Sequence, residues 1–337
     1  MNTASVSLSS SIPSGSALPA SADTTLPPLP TSPQNITPPS TPPVKPGACR
    51  RLHVRHTTNY AYDKPVERSL HRLHLRPMVD ARQALVSHRL TWNPHSPASE
   101  YEDVFGNATT RFELSEPYSQ LTIEAESIVE LRDDDPFDFA NAPIRPSFPL
   151  HWMPWELTML TPYLTSGEAP EAQLHELFDY ALTFVERNNR DLMETLFAIN
   201  LTLFREYTYA PGSTSLKTTP YDVFTQRQGV CQDFSNLFIC LARLLGIPAR
   251  YVCGYVFCPA TNTVQSQQSH AWVELYIPHV GWKGFDPTNG ILPRLDHIRV
   301  AVGRHYRDTA PTAGTLYTSA LETMQVHVAV SDLAAPA

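Results

Sequence analysis

Three short stretches hold residue types able to carry nucleophilic chemistry: Gly229-Val230-Cys231-Gln232-Asp233-Phe234, Ser269-His270-Ala271-Trp272 and Phe285-Asp286-Pro287-Thr288. A thiol becomes a strong nucleophile when an imidazole takes its proton and a third group orients that imidazole. Cys231, His270 and Asp286 supply thiol, base and carboxylate in that order. The chemistry this set allows is nucleophilic attack by an activated thiol.

Such a set works only if local structure brings it together. Thr219-Pro220 puts a capping residue before a proline at the first helical position, predicting a short helix over 221–227 that ends near Gly229. A second helix is expected from Cys231 to about Leu245, stopped by Gly246 and Pro248. Its run of Leu237, Phe238, Cys240, Leu241, Leu244 and Leu245 suits a buried central helix, with Cys240 as plain core. At the start of that helix, unpaired amides and aligned peptide dipoles favour a thiolate on Cys231. Strands expected over 249–257, 270–277 and 282–285 place His270 at a strand start and Asp286 just past a strand end. A tight turn at Gly281-Trp282 makes the last two strands antiparallel neighbours, and their register decides whether His270 meets Asp286.

The Cys231 N–H, at the helix start, is the natural first donor of an oxyanion hole, and Tyr209 is a candidate second donor. Gln232 and Trp272, inside the same motifs, are further candidates for oxyanion or substrate binding. Plainer readings stand beside these. A single cysteine near a helix start is more often a small buried residue than a nucleophile, and Asp-Pro is a common turn opener. Cys253, Cys258 and His270 lack the paired spacing of a zinc site, so neither a metal nor a cofactor is expected.

Composition narrows the partner. With 25 basic against 33 acidic residues, a net charge of -8 and no basic run, the chain is a poor match for nucleic acid or an anionic membrane. A peptide or protein amide is the easier partner. Five cysteines in 337 residues are too few and odd in number for a disulfide scaffold, so they read as reduced thiols. No stretch approaches a membrane span and the first residues lack the basic flank and apolar run of a signal peptide, which gives the cytoplasm as the expected location.

Residues 1–48 carry 11 Pro, 10 Ser and 6 Thr with only Asp23 and Lys45 charged, the composition of a disordered leader. Alternating apolar and polar residues over 49–133 predict an all-β, sandwich-like module, with Phe105-Gly106-Asn107 as a hairpin turn. A Pro- and aromatic-rich linker follows over 134–170, its Trp and Phe residues packed against the surface. Helices expected over 172–187 and 190–205 then open a core domain of 171–325, and 326–337 is left as a C-terminal strand and tail.

The motif residues, together with Leu244-Leu245-Gly246-Ile247-Pro248-Ala249-Arg250-Tyr251 and Gly281-Trp282-Lys283-Gly284-Phe285-Asp286-Pro287-Thr288-Asn289-Gly290, resemble the transglutaminase-like superfamily. The likeness extends to Phe204–Thr214, to His297–Asp308, and over 52–131 to the β-rich region that precedes this core in bacterial members. It implies an α+β fold: a papain-like core whose Cys-bearing helix packs on an antiparallel sheet presenting His and Asp. It also implies Cys231 as nucleophile, His270 as base and Asp286 as acid. Bacterial relatives are generally regarded as peptidases or amidases, so hydrolysis is the expected outcome. Amine transfer, and peptide binding without turnover, are the alternatives. Gln267-Gln268-Ser269 and Arg304-His305-Tyr306 depart from the usual Asp-Ala-Ser and Arg-Asp-Tyr, and the departures bear on substrate preference.

Overall fold

The computed structural model describes residues 48–133, 145–166, 169–215, 217–258 and 268–333. The expected leader lies outside these residues except for Ala48, as does 134–144 of the linker.

The alternating region forms β1 (Cys49–Val66), β2 (Arg68–Leu73), β3 (Gln83–Asn93), β4 (Ala98–Glu102), β5 (Ala108–Leu114) and β6 (Tyr118–Arg132). Beyond it come helices α1 (Pro154–Leu160), α2 (Glu171–Arg187) and α3 (Leu192–Glu206), then the short strand β7 (Thr208–Tyr209). Next are α4 (Pro220–Gln226), β8 (Gln228–Gly229) and α5 (Cys231–Leu244). The chain continues through β9 (Ala249–Val256), β10 (His270–Ile277), β11 (Gly281–Phe285), β12 (His297–Gly303), α6 (Tyr306–Thr309), β13 (Thr312–Tyr317) and β14 (Glu322–Asp332).

Two four-stranded antiparallel sheets, ordered β14-β1-β6-β3 and β13-β2-β5-β4, enclose a shared core that includes Tyr62, Leu73, Phe112, Leu121 and Ile123. The sandwich is therefore present, but its strands come from both sides of the core in sequence. β13 pairs with β2 and β14 with β1 along its length, which corrects the expected core boundary at 325 and the separate tail at 326–337. Local alternation reveals a strand without revealing which sheet receives it. The linker also holds α1, which opens on Pro154 at its first position. Trp152 there packs on Tyr276 and its indole N–H donates to the Gly246 carbonyl at 3.1 Å, whereas Trp155 stays exposed.

The third sheet, β11-β10-β9-β12, is antiparallel throughout and buried on both faces. On one face Phe238 and Leu241 of α5 pack in a single cluster with Ala271, Val273, Leu275 and Phe285. On the other, Tyr255, Ile298 and Val300 meet Leu52, Val54, Val129 and Val328 of the sandwich. The side-chain amide of Asn107, in the turn between β4 and β5, both donates to and accepts from the backbone of Val302 at 2.8 Å. It thus satisfies one rung of edge strand β12 with a side chain. Among the described residues no helix is long and apolar enough to cross a membrane.

Candidate active site

Cys231 is the first residue of α5, preceded by Val230 in an extended conformation. β7 and β8 run parallel, Tyr209 beside Gly229, and deliver the chain to this point. The helix start is closed by Asp233, whose carboxylate accepts the Val230 N–H at 2.8 Å and the Thr214 hydroxyl at 2.6 Å. This is the back-reaching half of a capping box. Gly229 makes it fit, because a Cβ there would sit 2.8 Å from the Asp233 Cβ. Burial raises the Asp233 pKa, and its two hydrogen bonds oppose that rise. Sequence reasoning passed over Asp233, although an acidic residue three positions after a helix cap is a recognisable signal.

The register of β10 with β11 pairs Val273 with Phe285. Continuing it by one residue sets Asp286 opposite Trp272, hence on the same face as His270 and one diagonal step away. His270 Nε2 and Asp286 Oδ2 are 2.8 Å apart, and both side chains are almost wholly buried. With Nε2 committed to Asp286, Nδ1 is left for the thiol, and a hydrogen bond with Cys231 contributes to the His270 charge balance. Burial alone would lower the His270 pKa, but the Asp286 charge and bond, followed by the bond and charge of Cys231, outweigh it and raise the pKa. Asp286 is the converse: burial would raise its pKa, but His270 and His297 hold it well below the usual carboxylate range.

Asp286 is saturated with donors. Oδ1 accepts the backbone N–H groups of Thr288 and Asn289 at 2.9 and 3.2 Å. Oδ2 accepts His270, His297 at 3.0 Å and the Asn289 side-chain amide at 2.7 Å. The Asp286–Gly290 turn arranges this, and Gly290 permits it with φ of +68° and Phe204 packed where a Cβ would stand, 2.7 Å away. Polar atoms of His270, Asp286 and His297 lie within 4.8 Å of one another, a spacing that could hold a metal ion. Three N–H donors on one oxygen leave it no lone pair for an ion, so we read the group as a hydrogen-bond cluster.

The remaining candidates separate. Tyr209 is half-buried against Phe234, and burial, then the charges of Cys231, Asp233 and Asp286, raises its pKa and keeps its hydroxyl protonated. Its hydroxyl is thus available as a hydrogen-bond donor. Gln232 follows Cys231 on α5 and is half-buried. Trp272 is fully buried, its ring 5.1 Å from that of His297, so it walls the imidazoles from behind and offers no surface to a substrate. It lies on the opposite face of β10 from Ala271, and that face is covered by Met78 and Phe105 of the sandwich. Cys240 and Cys253 are buried, and burial pushes their pKa values up to about 11 and about 12.

His297, Asp296 and Asn289 also went unmarked as site residues. Asn289 had a signal in the Asp-Pro-Thr-Asn-Gly turn. His297 opens the last stretch of family likeness, but nothing local there marks an approach to Asp286, because it arrives from β12 across β9. Gly254 of β9 lies directly between His270 and Arg299 in the sheet, and a Cβ there would sit 2.7 Å from the Trp272 ring and 2.0 Å from the Ile298 carbonyl. The absent side chain leaves room for Trp272 and the β12 backbone beside the imidazoles. A cavity of about 570 Å³ opens between the sandwich sheets, lined on the core side by Gln268, Ser269 and Tyr306 and on the sandwich side by residues including Tyr60, Tyr62 and His71.

Comparison with known proteins agrees with this architecture. Residues 52–130 match the bacterial transglutaminase-like N-terminal region, and residues 179–287 match the transglutaminase-like superfamily. An uncharacterised Mycobacterium tuberculosis protein, Rv2569c, is 32% identical over 288 residues, spanning 80% of this chain and 88% of that one. A Pseudomonas aeruginosa protein-glutamine gamma-glutamyltransferase is 36% identical over 92 residues, 26% of this chain and 14% of that one. The crystal structure of a Cytophaga hutchinsonii protein of proposed cysteine-protease class superposes with a TM-score of 0.66 at 22% identity, over 86% of this chain and 92% of that one.

Proposed function

Because the chain belongs to the transglutaminase-like superfamily, we propose that it is a thiol-dependent amide hydrolase, a cysteine peptidase or amidase acting through Cys231, His270 and Asp286. The observation that carries this reading is the positioned set itself: a half-buried thiol at a helix start, bonded to an imidazole that a saturated carboxylate holds from behind.

In this mechanism the Cys231 thiolate attacks the amide carbonyl, forming the C–S bond while the carbonyl oxygen takes the negative charge. The Cys231 N–H and the Tyr209 hydroxyl are the donors to that oxygen. His270 gives its proton to the departing amine as the C–N bond breaks, leaving a thioester. His270, now neutral, takes a proton from water, whose oxygen attacks the thioester, and the C–S bond breaks to release the acid and return the thiolate.

Transfer to an amine is the second reading, favoured by the 92-residue match to the Pseudomonas glutamyltransferase. The two differ only in what attacks the thioester. Given a peptide amide donor and an excess of a primary amine, the protein is expected to release mainly free acid, read by mass spectrometry. Dominant amide product would replace hydrolysis by transfer.

A further inference from the structure

His297 extends the cluster by a second imidazole that the three motif residues do not require. Its Nε2 lies 3.0 Å from Asp286 Oδ2 and its Nδ1 2.7 Å from Asp296 Oδ1, with the ring fully buried. A neutral imidazole has one N–H and one bare nitrogen, and the bare nitrogen would face a carboxylate lone pair. Satisfying both carboxylates takes a proton on each ring nitrogen. We propose that His297 is a permanently protonated positioning residue, a buried cation that shares Asp286 with His270 and so limits how strongly that carboxylate holds the His270 proton. The proposal rests on His270 being the base.

The balance of charge explains the use of such a group. A lone buried carboxylate against His270 would stabilise its imidazolium so far that the proton could not be handed on to a leaving amine. The two imidazole rings stand 5.9 Å apart, and at that distance a fixed positive charge lowers a neighbour's pKa by about two units. Burial alone would lower the His297 pKa, but the charges and bonds of Asp296 and Asp286 outweigh it and raise it.

The surroundings agree with a cation held in place by these two acids. Asp286 and Asp296 face the ring directly, His270 stands beyond Asp286, and the Trp272 ring closes one side. Burial, then the charges of Asp296 and Asp286, raises the pKa of the Cys258 thiol. The small cavity behind the ring is lined by Glu274, Lys283, Arg294 and Arg299, besides Arg82 and Arg132. There Arg294 is paired with Asp133 at 2.9 Å, while Arg299 is paired with Glu274 and Asp80. No carboxylate other than Asp286 and Asp296 makes an ion pair with His297 among the described residues.

Two measurements test this. In protein labelled with ¹⁵N at histidine, a long-range proton–nitrogen correlation spectrum at neutral pH should show both His297 ring nitrogens protonated. A bare nitrogen there would overturn the proposal without any variant. In the second, the rate of Cys231 alkylation by chloroacetamide is followed against pH. His297→Gln keeps an N–H donor for Asp286 but removes the charge, so both limbs of the profile should move to higher pH, the imidazole limb by about two units. A folded variant with an unmoved profile would also overturn it. If wild-type Cys231 reacts no faster than glutathione, the nucleophile reading fails instead, while the spectrum still reports on His297.

Discussion

Cys231→Ala should lower amide turnover by about ten-thousand-fold or more while leaving the fold intact. The size follows from the role: without the sulfur no thioester forms, and only the donors around the oxyanion remain. The intact fold follows from the site. Cys231 is half-buried at the first position of α5, and α5 is held through Phe238, Leu241 and the Asp233 cap rather than through the thiol. Alanine is the best helix former, so the thermal midpoint should move by no more than about a degree or two. Turnover of a panel of peptide and amide substrates by the purified variant, with a melting curve alongside, checks both halves.

Asp286→Asn should be costly in two ways at once. An asparagine keeps the shape but offers one acceptor oxygen where five N–H donors converge. Its amide would point N–H groups at the imidazoles or at the backbone of Thr288 and Asn289. The imidazoles would also lose the buried charge that compensates them. Breaking a buried pair from one side costs roughly 3–5 kcal/mol, because the stranded charge stays desolvated. His270 would in addition lose the bond that fixes its tautomer, a change that lowers turnover by about ten-thousand-fold in comparable triads. Denaturant unfolding and turnover should therefore fall together, in contrast to Cys231→Ala. A variant of unchanged stability would show that Asp286 is not charged in the folded protein.

The sequence makes some of this site legible and hides the rest for identifiable reasons. Helix and strand starts were readable because they rest on local chemistry: Thr219-Pro220 caps α4, Gly246 and Pro248 stop α5, and Gly281 turns β10 into β11. The diagonal meeting of His270 and Asp286 was not readable, because it depends on the Val273–Phe285 register, and one residue of slip would send Asp286 to the opposite face. His297 lay further out of reach. It reaches Asp286 only because β12 lies on the far side of β9 from β10, a strand order that periodicity does not encode. Trp272 shows the limit of reading faces from alternation. The pattern says which residues share a face, while the sandwich strands, including β14 from the far end of the chain, decide that both faces of the sheet are covered.

The proposed function depends on Cys231 being a nucleophile that His270 activates. Its most direct test is the rate of Cys231 alkylation at about pH 6, followed by mass spectrometry of the modified peptide and compared with glutathione, whose thiol, like other ordinary thiols of pKa about 8.5, is almost entirely protonated there. Cys231 should react about a hundred-fold faster than glutathione at that pH, with the advantage lost in His270→Ala. A Cys231 that reacts at the glutathione rate and gains speed only as the pH approaches 8.5 would contradict it.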